Sequence, residues 1–127
     1  MEEAKRTLTV RVQSHEDFRD ELMHAARAVD SGEGYQGEVH SFTSLPLFFR
    51  VFSQKRWELI LKLQEIGPSS LRGLARALSR DVKRVHEDAE LLLEEKVIER
   101  DKAGKLFVPF ETIRIEASLP TASKSAA

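Results

Sequence analysis

Three helical segments follow one another between residues 54 and 95 with very short connections, and this feature limits the possible folds more than any other. The spacing of apolar residues predicts helices over about 54–66, 71–79 and 82–95. Because only a few residues separate them, consecutive helices must pack against one another as a compact group. A tight turn around Ser79-Arg80 joins the second and third helices.

Residues that start and stop helices support these boundaries. Gly67-Pro68 ends the first helix, and Ser69 or Ser70 caps the second. Asp81 is the best N-cap for the third helix. The second and third helices each carry an apolar stripe that we expect to face a shared core: Leu71, Leu74, Ala75 and Leu78, then Val82, Val85, Ala89, Leu92 and Leu93.

A β-hairpin is predicted directly after the third helix. Residues 97–100 and 106–108 have strand patterns, and the turn between them contains Gly104 at the position that favours a left-handed backbone. Three helices followed by a hairpin form the order of a winged helix-turn-helix domain, which we place over residues 54–117.

The N-terminal part alternates between strand and helix patterns. Residues 6–12 and 112–116 each alternate apolar and polar side chains, and we expect them to share one small sheet. A helix is predicted over about 14–30 and, from a weaker pattern, a strand over 35–42. The predicted fold class is therefore α+β, a winged helix-turn-helix with an N-terminal β-α-β-α extension over residues 1–53.

The segment 45–52 is apolar almost all round, which is typical of a short helix buried on several sides. It can fill a gap between the two halves of one core, or it can form a contact between subunits, and the two interpretations are compatible. We expect a homodimer built mainly from residues 1–53. Its predicted dimer or partner interface consists of Leu45, Leu47, Phe48, Phe49 and Phe52.

Basic residues concentrate at the second and third helices, although the net charge of the chain is only −1. Five basic residues and one acid, Asp81, fall between residues 69 and 86. At 100° per residue, the side of the third helix opposite its apolar stripe is mainly basic, beginning with Arg80. Such a face meets the major groove in a recognition helix. The alternative is a solvated face on which Glu87 pairs with Lys83. The predicted DNA-binding residues are Ser70, Arg72, Arg76, Arg80, Lys83, Arg84, Glu87, Lys102 and Lys105.

Residues 54–117 resemble the MarR-like winged-helix regulators, and especially a small group of predicted bacterial and archaeal DNA-binding proteins. The stretch from Ser70 to Asp88 follows that group's pattern S-x-R-x-L-A-R-x-L-x-R-D-V-K-x-V-H-x-D. Gly73 departs from the group, which usually has an acid there that closes a capping box. Lys96 stands where winged helices usually carry glycine. The resemblance implies DNA binding, and some members of the group look like antitoxins that repress their own operon and wrap a toxin.

Composition and motifs restrict the other functions. The chain has no cysteine, which excludes disulfides and thiolate metal sites and fits a cytoplasmic location. No apolar run approaches the roughly 20 residues that span a bilayer. The four histidines lack metal-ligand spacing, and no nucleophile–base pair or phosphate-binding glycine loop is present. We therefore expect no enzyme activity, no cofactor and no metal. Residues 118–127 are expected to form a disordered tail.

Two functions are consistent with these features. The first is a sequence-specific regulator of transcription, a repressor that binds double-stranded DNA as a homodimer. The second is an antitoxin-like protein whose main role is to bind a partner toxin through its N-terminal part. A winged helix associated with RNA or the ribosome would need more positive charge than this chain has.

Overall fold

The computed structural model of the chain describes residues 6–13, Met23 and 37–118. Helices and strands are mixed along the chain, as the α+β class predicted. The predicted helix over 14–30 lies outside the described residues except for Met23, which is helical. The elements are β1 (Thr7–Val12), β2 (Glu38–Phe42), α1 (Leu45–Val51), α2 (Gln54–Ile66), α3 (Leu71–Leu78), α4 (Val82–Glu94), β3 (Glu99–Arg100), β4 (Leu106–Phe107) and β5 (Thr112–Ala117).

The chain divides into two compact units, and their limits differ from the predicted domains. The helical unit contains Arg6 and Phe49–Glu111, and therefore holds α2, α3, α4 and the β3–β4 hairpin. The sheet unit contains the described parts of Thr7–Phe48 and Thr112–Ala127. Strand β5, which the sequence pattern assigned to the winged helix, thus belongs to the sheet unit because it pairs with β1.

One face of each helix builds the core of the helical unit. α3 packs against both α2 and α4, and α2 also contacts α4 and β4. The helix residues of this core are at most 1% exposed: Leu59, Ile60, Leu63, Leu74, Ala75, Val85, Ala89 and Leu92. Burying a leucine, isoleucine or valine side chain contributes about 1.5–3 kcal/mol, so this cluster dominates the stability of the unit. The apolar stripes predicted for α3 and α4 are confirmed at their central positions.

Side chains cap the N-terminus of each of these three helices. Ser53 Oγ accepts a hydrogen bond from the third residue of α2 at 3.4 Å, and Ser70 Oγ accepts one from the third residue of α3 at 3.0 Å. Asp81 Oδ2 accepts the equivalent bond in α4 at 3.3 Å. Each cap satisfies a backbone N–H that has no partner within its own helix. The predicted caps at Ser70 and Asp81 are confirmed.

α3 and α4 both end on a residue in the left-handed conformation that is not glycine. Ser79 has φ 53° and Lys96 has φ 63°. After Lys96, Val97 N donates to Leu92 O at 3.0 Å, which closes a Schellman motif around two buried side chains. Ile98 N also donates to Leu92 O, at 3.4 Å. The first strand of the hairpin is therefore shorter than predicted, because its first two residues terminate the helix instead.

The sheet unit holds three strands in the order β2-β1-β5, and both neighbouring pairs are parallel. β1 and β5 pair along their whole length, from Thr7 opposite Thr112 to Val12 opposite Ala117. The prediction that these segments share a sheet is confirmed. The alternation predicted for β1 is confirmed as well, since Leu8, Val10 and Val12 are all buried.

The apolar segment that includes α1 is only partly buried. Phe48 is 5% and Phe52 is 1% exposed, so these two side chains belong to the interior and not to the predicted interface. Leu47 is 40% and Phe49 is 59% exposed. Both side chains are exposed within a single copy of the chain, so the interface expected at Leu47 and Phe49 stays a prediction. Among the described residues, none of the helices combines the length and apolar character that crossing a bilayer requires.

Candidate nucleic-acid interface

The exposed side of α4 is basic near its start. Lys83 and Arg84 are exposed, whereas the next residue, Val85, is fully buried. Neither basic side chain makes a hydrogen bond or an ion pair with any residue that the structure describes. Glu87 is exposed too, and the pair it was expected to form with Lys83 is absent from the described part of the chain. This surface therefore presents two cationic groups to solvent, and neither has a carboxylate partner in the part of the chain that the structure describes.

Arg80 does not share this surface, and the prediction that its side chain lies on the exposed face is wrong. Only 15% of the side chain is exposed, and its Nη2 donates to Asp88 Oδ2 at 2.9 Å. Arg80 precedes the N-cap Asp81, so the helical rotation of 100° per residue does not apply to it. It is the residue after the left-handed Ser79, and its backbone N donates to Ala75 O at 3.0 Å.

Asp88 joins two arginines from different parts of the helical unit. Arg56 Nε donates to Asp88 Oδ1 at 3.0 Å, while Arg56 Nη1 donates to the carbonyl oxygens of Arg50 at 2.9 Å and Val51 at 3.0 Å. Arg80 Nη1 is buried and has no hydrogen-bond partner among the described residues. Charged hydrogen bonds shielded from water are strong and directional. This network therefore fixes the end of α1, the start of α2 and the turn before α4 relative to one another.

Two further arginines lie on the exposed side of α3. Arg72 and Arg76 are one helical turn apart, and neither side chain has a partner among the residues described. Ser70, at the start of the helix, is exposed and uses its hydroxyl oxygen as the N-cap. At Gly73 a Cβ would lie 2.9 Å from Ser69 Oγ, so a larger residue there would require that hydroxyl to rotate away. The exposed side of α3 thus carries Arg72 in the first turn, next to the capped N-terminus, and Arg76 in the last turn.

Asp101 organises the turn of the β3–β4 hairpin. Its Oδ1 accepts hydrogen bonds from the backbone N–H groups of Ala103 and Lys105, both at 2.9 Å. Gly104 has φ 83°, which confirms the predicted left-handed position. Lys102 and Lys105 are exposed, and their side chains have no partner within the described ranges. A rigid turn therefore carries both lysines at the tip of the hairpin.

Glu90 connects α4 to this hairpin. Its Oε1 lies 3.1 Å from His86 Nε2 and 3.5 Å from Arg100 Nη2. Arg100 Nη1 also donates to Gly104 O at 3.2 Å. Ser69, just before α3, forms a second link, because its backbone pairs with Leu106 in both directions at 2.8 and 2.9 Å. The hairpin is thus linked to α4 through Glu90 and to the start of α3 through Ser69.

All of the predicted DNA-binding residues lie in the helical unit, and all except Arg80 are exposed. Sequence reasoning missed three residues that position them, namely Arg56, Asp88 and Asp101. A signal for Asp88 existed in the sequence, because this acid lies only about 60° around the helix axis from Val85 in the apolar stripe. No local signal pairs it with Arg56, which is 32 residues away.

Comparison with known proteins finds similarity to a protein family. No curated protein and no solved structure is significantly similar to the chain. The model of the HVO_A0114 family matches residues 51–115, which is just over half of the 127 residues. The matched range covers α2, α3, α4 and the hairpin, and therefore the whole basic surface described above. The chain belongs to the HVO_A0114 family.

Proposed function

We propose that the protein is a sequence-specific regulator of transcription, a repressor that binds double-stranded DNA as a homodimer through a winged helix-turn-helix. The observation that carries the proposal is the start of α4. There Lys83 and Arg84 are exposed without carboxylate partners in the described part of the chain, directly after the capped turn that sets the direction of the helix. In a helix-turn-helix, this part of the second helix contacts base edges in the major groove.

The remaining elements support the same assignment. α3 carries Arg72 and Arg76 on its exposed side, and its N-terminus at Ser70 suits a phosphate oxygen because the helix dipole is positive there. The hairpin that follows α4 exposes Lys102 and Lys105, and in this proposal it serves as the wing. Under this proposal, α3 and the hairpin hold the DNA backbone, while α4 supplies the base contacts.

Arg80 has a different part in this proposal from the one its sequence position suggested. Its guanidinium is engaged with Asp88 at 2.9 Å and is mostly buried, so it positions α4 and makes no base contact. Lys83 and Arg84 then remain as the side chains of α4 that can pair with guanine or with phosphate. Glu87, exposed and unpaired within the described residues, can accept a hydrogen bond from a cytosine amino group.

An electrophoretic shift assay with the K83A/R84A double variant tests the proposal. The probes are a duplex from immediately upstream of the protein's own gene and a random duplex of the same length. Loss of base contacts should cost roughly 1–3 kcal/mol for each contact on the specific probe. The matched control is K55A/K62A, which removes two positive charges from α2 and leaves the proposed surface intact.

Two results would overturn the recognition-helix assignment. One is unchanged binding of the upstream duplex by K83A/R84A. The other is an equal loss in K83A/R84A and in the K55A/K62A control, because such a loss would reflect total charge alone. Melting curves of both variants should match that of the wild type, since none of the four side chains belongs to the buried core.

A second function is favoured by one specific observation. α1 exposes Leu47 and Phe49, and an exposed phenylalanine on a short apolar helix suits a protein partner. In that case the chain is an antitoxin-like protein that holds a toxin and represses its own operon. If K83A/R84A leaves DNA binding unchanged while Phe49→Asp abolishes copurification with the product of the adjacent gene, this function takes first place.

A further inference from the structure

Strand β5 forms one edge of the three-stranded sheet. The order is β2-β1-β5, so β5 is hydrogen-bonded to β1 on one side, and no strand among the described residues pairs with its other side. The strand is six residues long and contains no proline. Ile115 in its middle is 53% exposed, although Val10, its partner in register on β1, is fully buried. A long open edge with an exposed isoleucine is a template for another strand.

The sequence of β5, TIRIEA, is complementary to itself in one antiparallel register. With Ile115 opposite Ile115 of a second copy, Arg114 lies opposite Glu116, and Ile113 lies opposite Ala117. Opposite charges directly across a strand pair are stabilising, and so are apolar pairs. A two-fold axis through Ile115 makes each contact twice, as an isologous interface requires.

The intramolecular contacts extend this complementarity. Glu116 Oε1 already accepts from Arg11 Nε on the neighbouring strand at 3.0 Å, and Glu116 Oε2 lies 3.4 Å from Arg114 Nη2 of its own strand. In the paired register, Arg114 of the partner subunit completes a row in which the carboxylate has an arginine on either side. On the opposite face, Val10 and Ile115 of both copies form one continuous apolar row.

Other pairings lack this match. A register centred on Arg114 would place two guanidinium groups opposite each other. Pairing through β2, the other edge of the sheet, centred on His40, would place Glu38 opposite Phe42. Like charges or a carboxylate facing a phenyl ring are unfavourable across a strand pair.

We propose that two copies of the chain associate through β5, antiparallel and with Ile115 on the two-fold axis, so that the two sheets form one continuous six-stranded sheet. This inference rests on the homodimer named in the proposed function, but it does not depend on DNA binding. It moves the predicted interface from the phenylalanine segment of residues 45–52 to the edge of the sheet.

Disulfide crosslinking of the full chain tests the register. Because the chain has no native cysteine, only the introduced cysteines can form a disulfide. Residues directly opposite in an antiparallel pair have Cα atoms about 4.5–5.5 Å apart, within disulfide range. Under mild oxidant, Ile115→Cys should therefore give a covalent dimer. Ile113→Cys is the matched control, because the two copies of that position would be about 14 Å apart. At equal concentration, we expect at least tenfold more dimer from Ile115→Cys.

Two further variants complete the test. A mixture of Ile113→Cys and Ala117→Cys chains should crosslink to each other, since these positions face one another. Arg114→Glu puts two carboxylates opposite each other and should raise the dimer dissociation constant at least tenfold in sedimentation experiments. Lys55→Glu makes the same change of charge at an exposed position of α2 and should leave the dimer dissociation constant unchanged. Melting curves confirm that each variant folds.

Equal crosslinking of Ile115→Cys and Ile113→Cys, or no crosslinking of either, would overturn the proposal. A wild-type chain that sediments as a monomer at about 100 µM would overturn it as well, because a dimer with a micromolar dissociation constant would be almost fully formed at that concentration. These readouts do not involve DNA. If crosslinking fails while K83A/R84A still abolishes promoter binding, only the dimer surface is wrong. If crosslinking succeeds while promoter binding is unaffected, only the recognition helix is wrong.

Discussion

Replacing Asp88 by asparagine should destabilise the helical unit more than any other single change of charge in the basic region. The carboxylate accepts two charged hydrogen bonds, from Arg56 at 3.0 Å and from Arg80 at 2.9 Å, and its side chain is only 14% exposed. Asparagine has nearly the same shape but no charge. Its amide nitrogen would also face one of the guanidinium groups, so one of the two bonds becomes a donor–donor contact.

The magnitude follows from burial. Removing one partner of a fully buried ion pair costs about 3–5 kcal/mol. Arg56 and Arg80 retain 20% and 15% of their side-chain exposure, so water can partly solvate the charges left behind. We therefore expect the free energy of unfolding to fall by an amount near the lower end of this range, about 3 kcal/mol. For a chain of this size, such a loss lowers the melting temperature by roughly 10 °C.

Urea unfolding followed by Trp57 fluorescence measures this loss. Trp57 is the only tryptophan of the chain and stacks on Phe52 at a centroid distance of 4.7 Å, so its emission reports on the packing of the helical unit. Glu87→Gln is the matched control, because Glu87 lies next to Asp88 on the same helix but is exposed. Its effect should stay within about 0.5 kcal/mol.

A loss below 1 kcal/mol for Asp88→Asn, or a loss equal to that of Glu87→Gln, would refute the structural role given to the network. A double-mutant cycle sharpens the test. Arg80→Gln and Asp88→Asn should show a coupling energy of about 1–3 kcal/mol, since they remove the same contact. Additive effects would mean that the two side chains do not interact in solution.

The other predictions concern the end of α4, the sheet and the hairpin. Lys96→Gly should stabilise the protein by up to about 1 kcal/mol in urea unfolding, because glycine adopts φ 63° without strain, whereas Glu95→Gly, at φ −80°, should destabilise it. A loss of stability in both glycine variants would contradict this reasoning. Deleting residues 1–13 removes the central strand β1 and should lower the melting temperature by several degrees, while an unchanged value would show that the sheet adds nothing to stability. Lys102→Ala should weaken binding to promoter and random duplexes alike and reduce the salt slope by about one; a loss confined to the promoter would mean a base contact.

Much of the helical unit could be predicted because its signals are local. The apolar spacing of α4, the caps at Ser70 and Asp81, and the glycine of the hairpin turn each act within a few residues. The exposure of Lys83 and Arg84 follows from the same helical spacing. These features depend on backbone hydrogen bonds and side-chain direction, which the chain specifies over one or two helical turns.

The errors have a common origin in contacts between distant residues. Arg80 was predicted to be exposed because the helical spacing of α4 was applied to it, although it precedes the N-cap of that helix. Phe48 and Phe52 were assigned to an interface, although both are buried within the chain. An apolar side chain shows only that it avoids water, and whether its own chain or a second chain covers it depends on the whole fold.

By itself, the sequence determined the order of the three helices and their bounds to within one residue, the caps at Ser70 and Asp81, the hairpin turn, and the pairing of the first and last strands in one sheet. Only the tertiary structure decided that Asp88 pairs with both Arg56 and Arg80, that the last strand lies in a different unit from the helices, and that this self-complementary strand forms an edge of the sheet. The physical reason is the range of the interactions. Helix periodicity and capping act over about four residues, whereas the Arg80–Asp88 ion pair, the Arg56–Asp88 ion pair and the parallel β1–β5 pairing join positions 8, 32 and 105 residues apart.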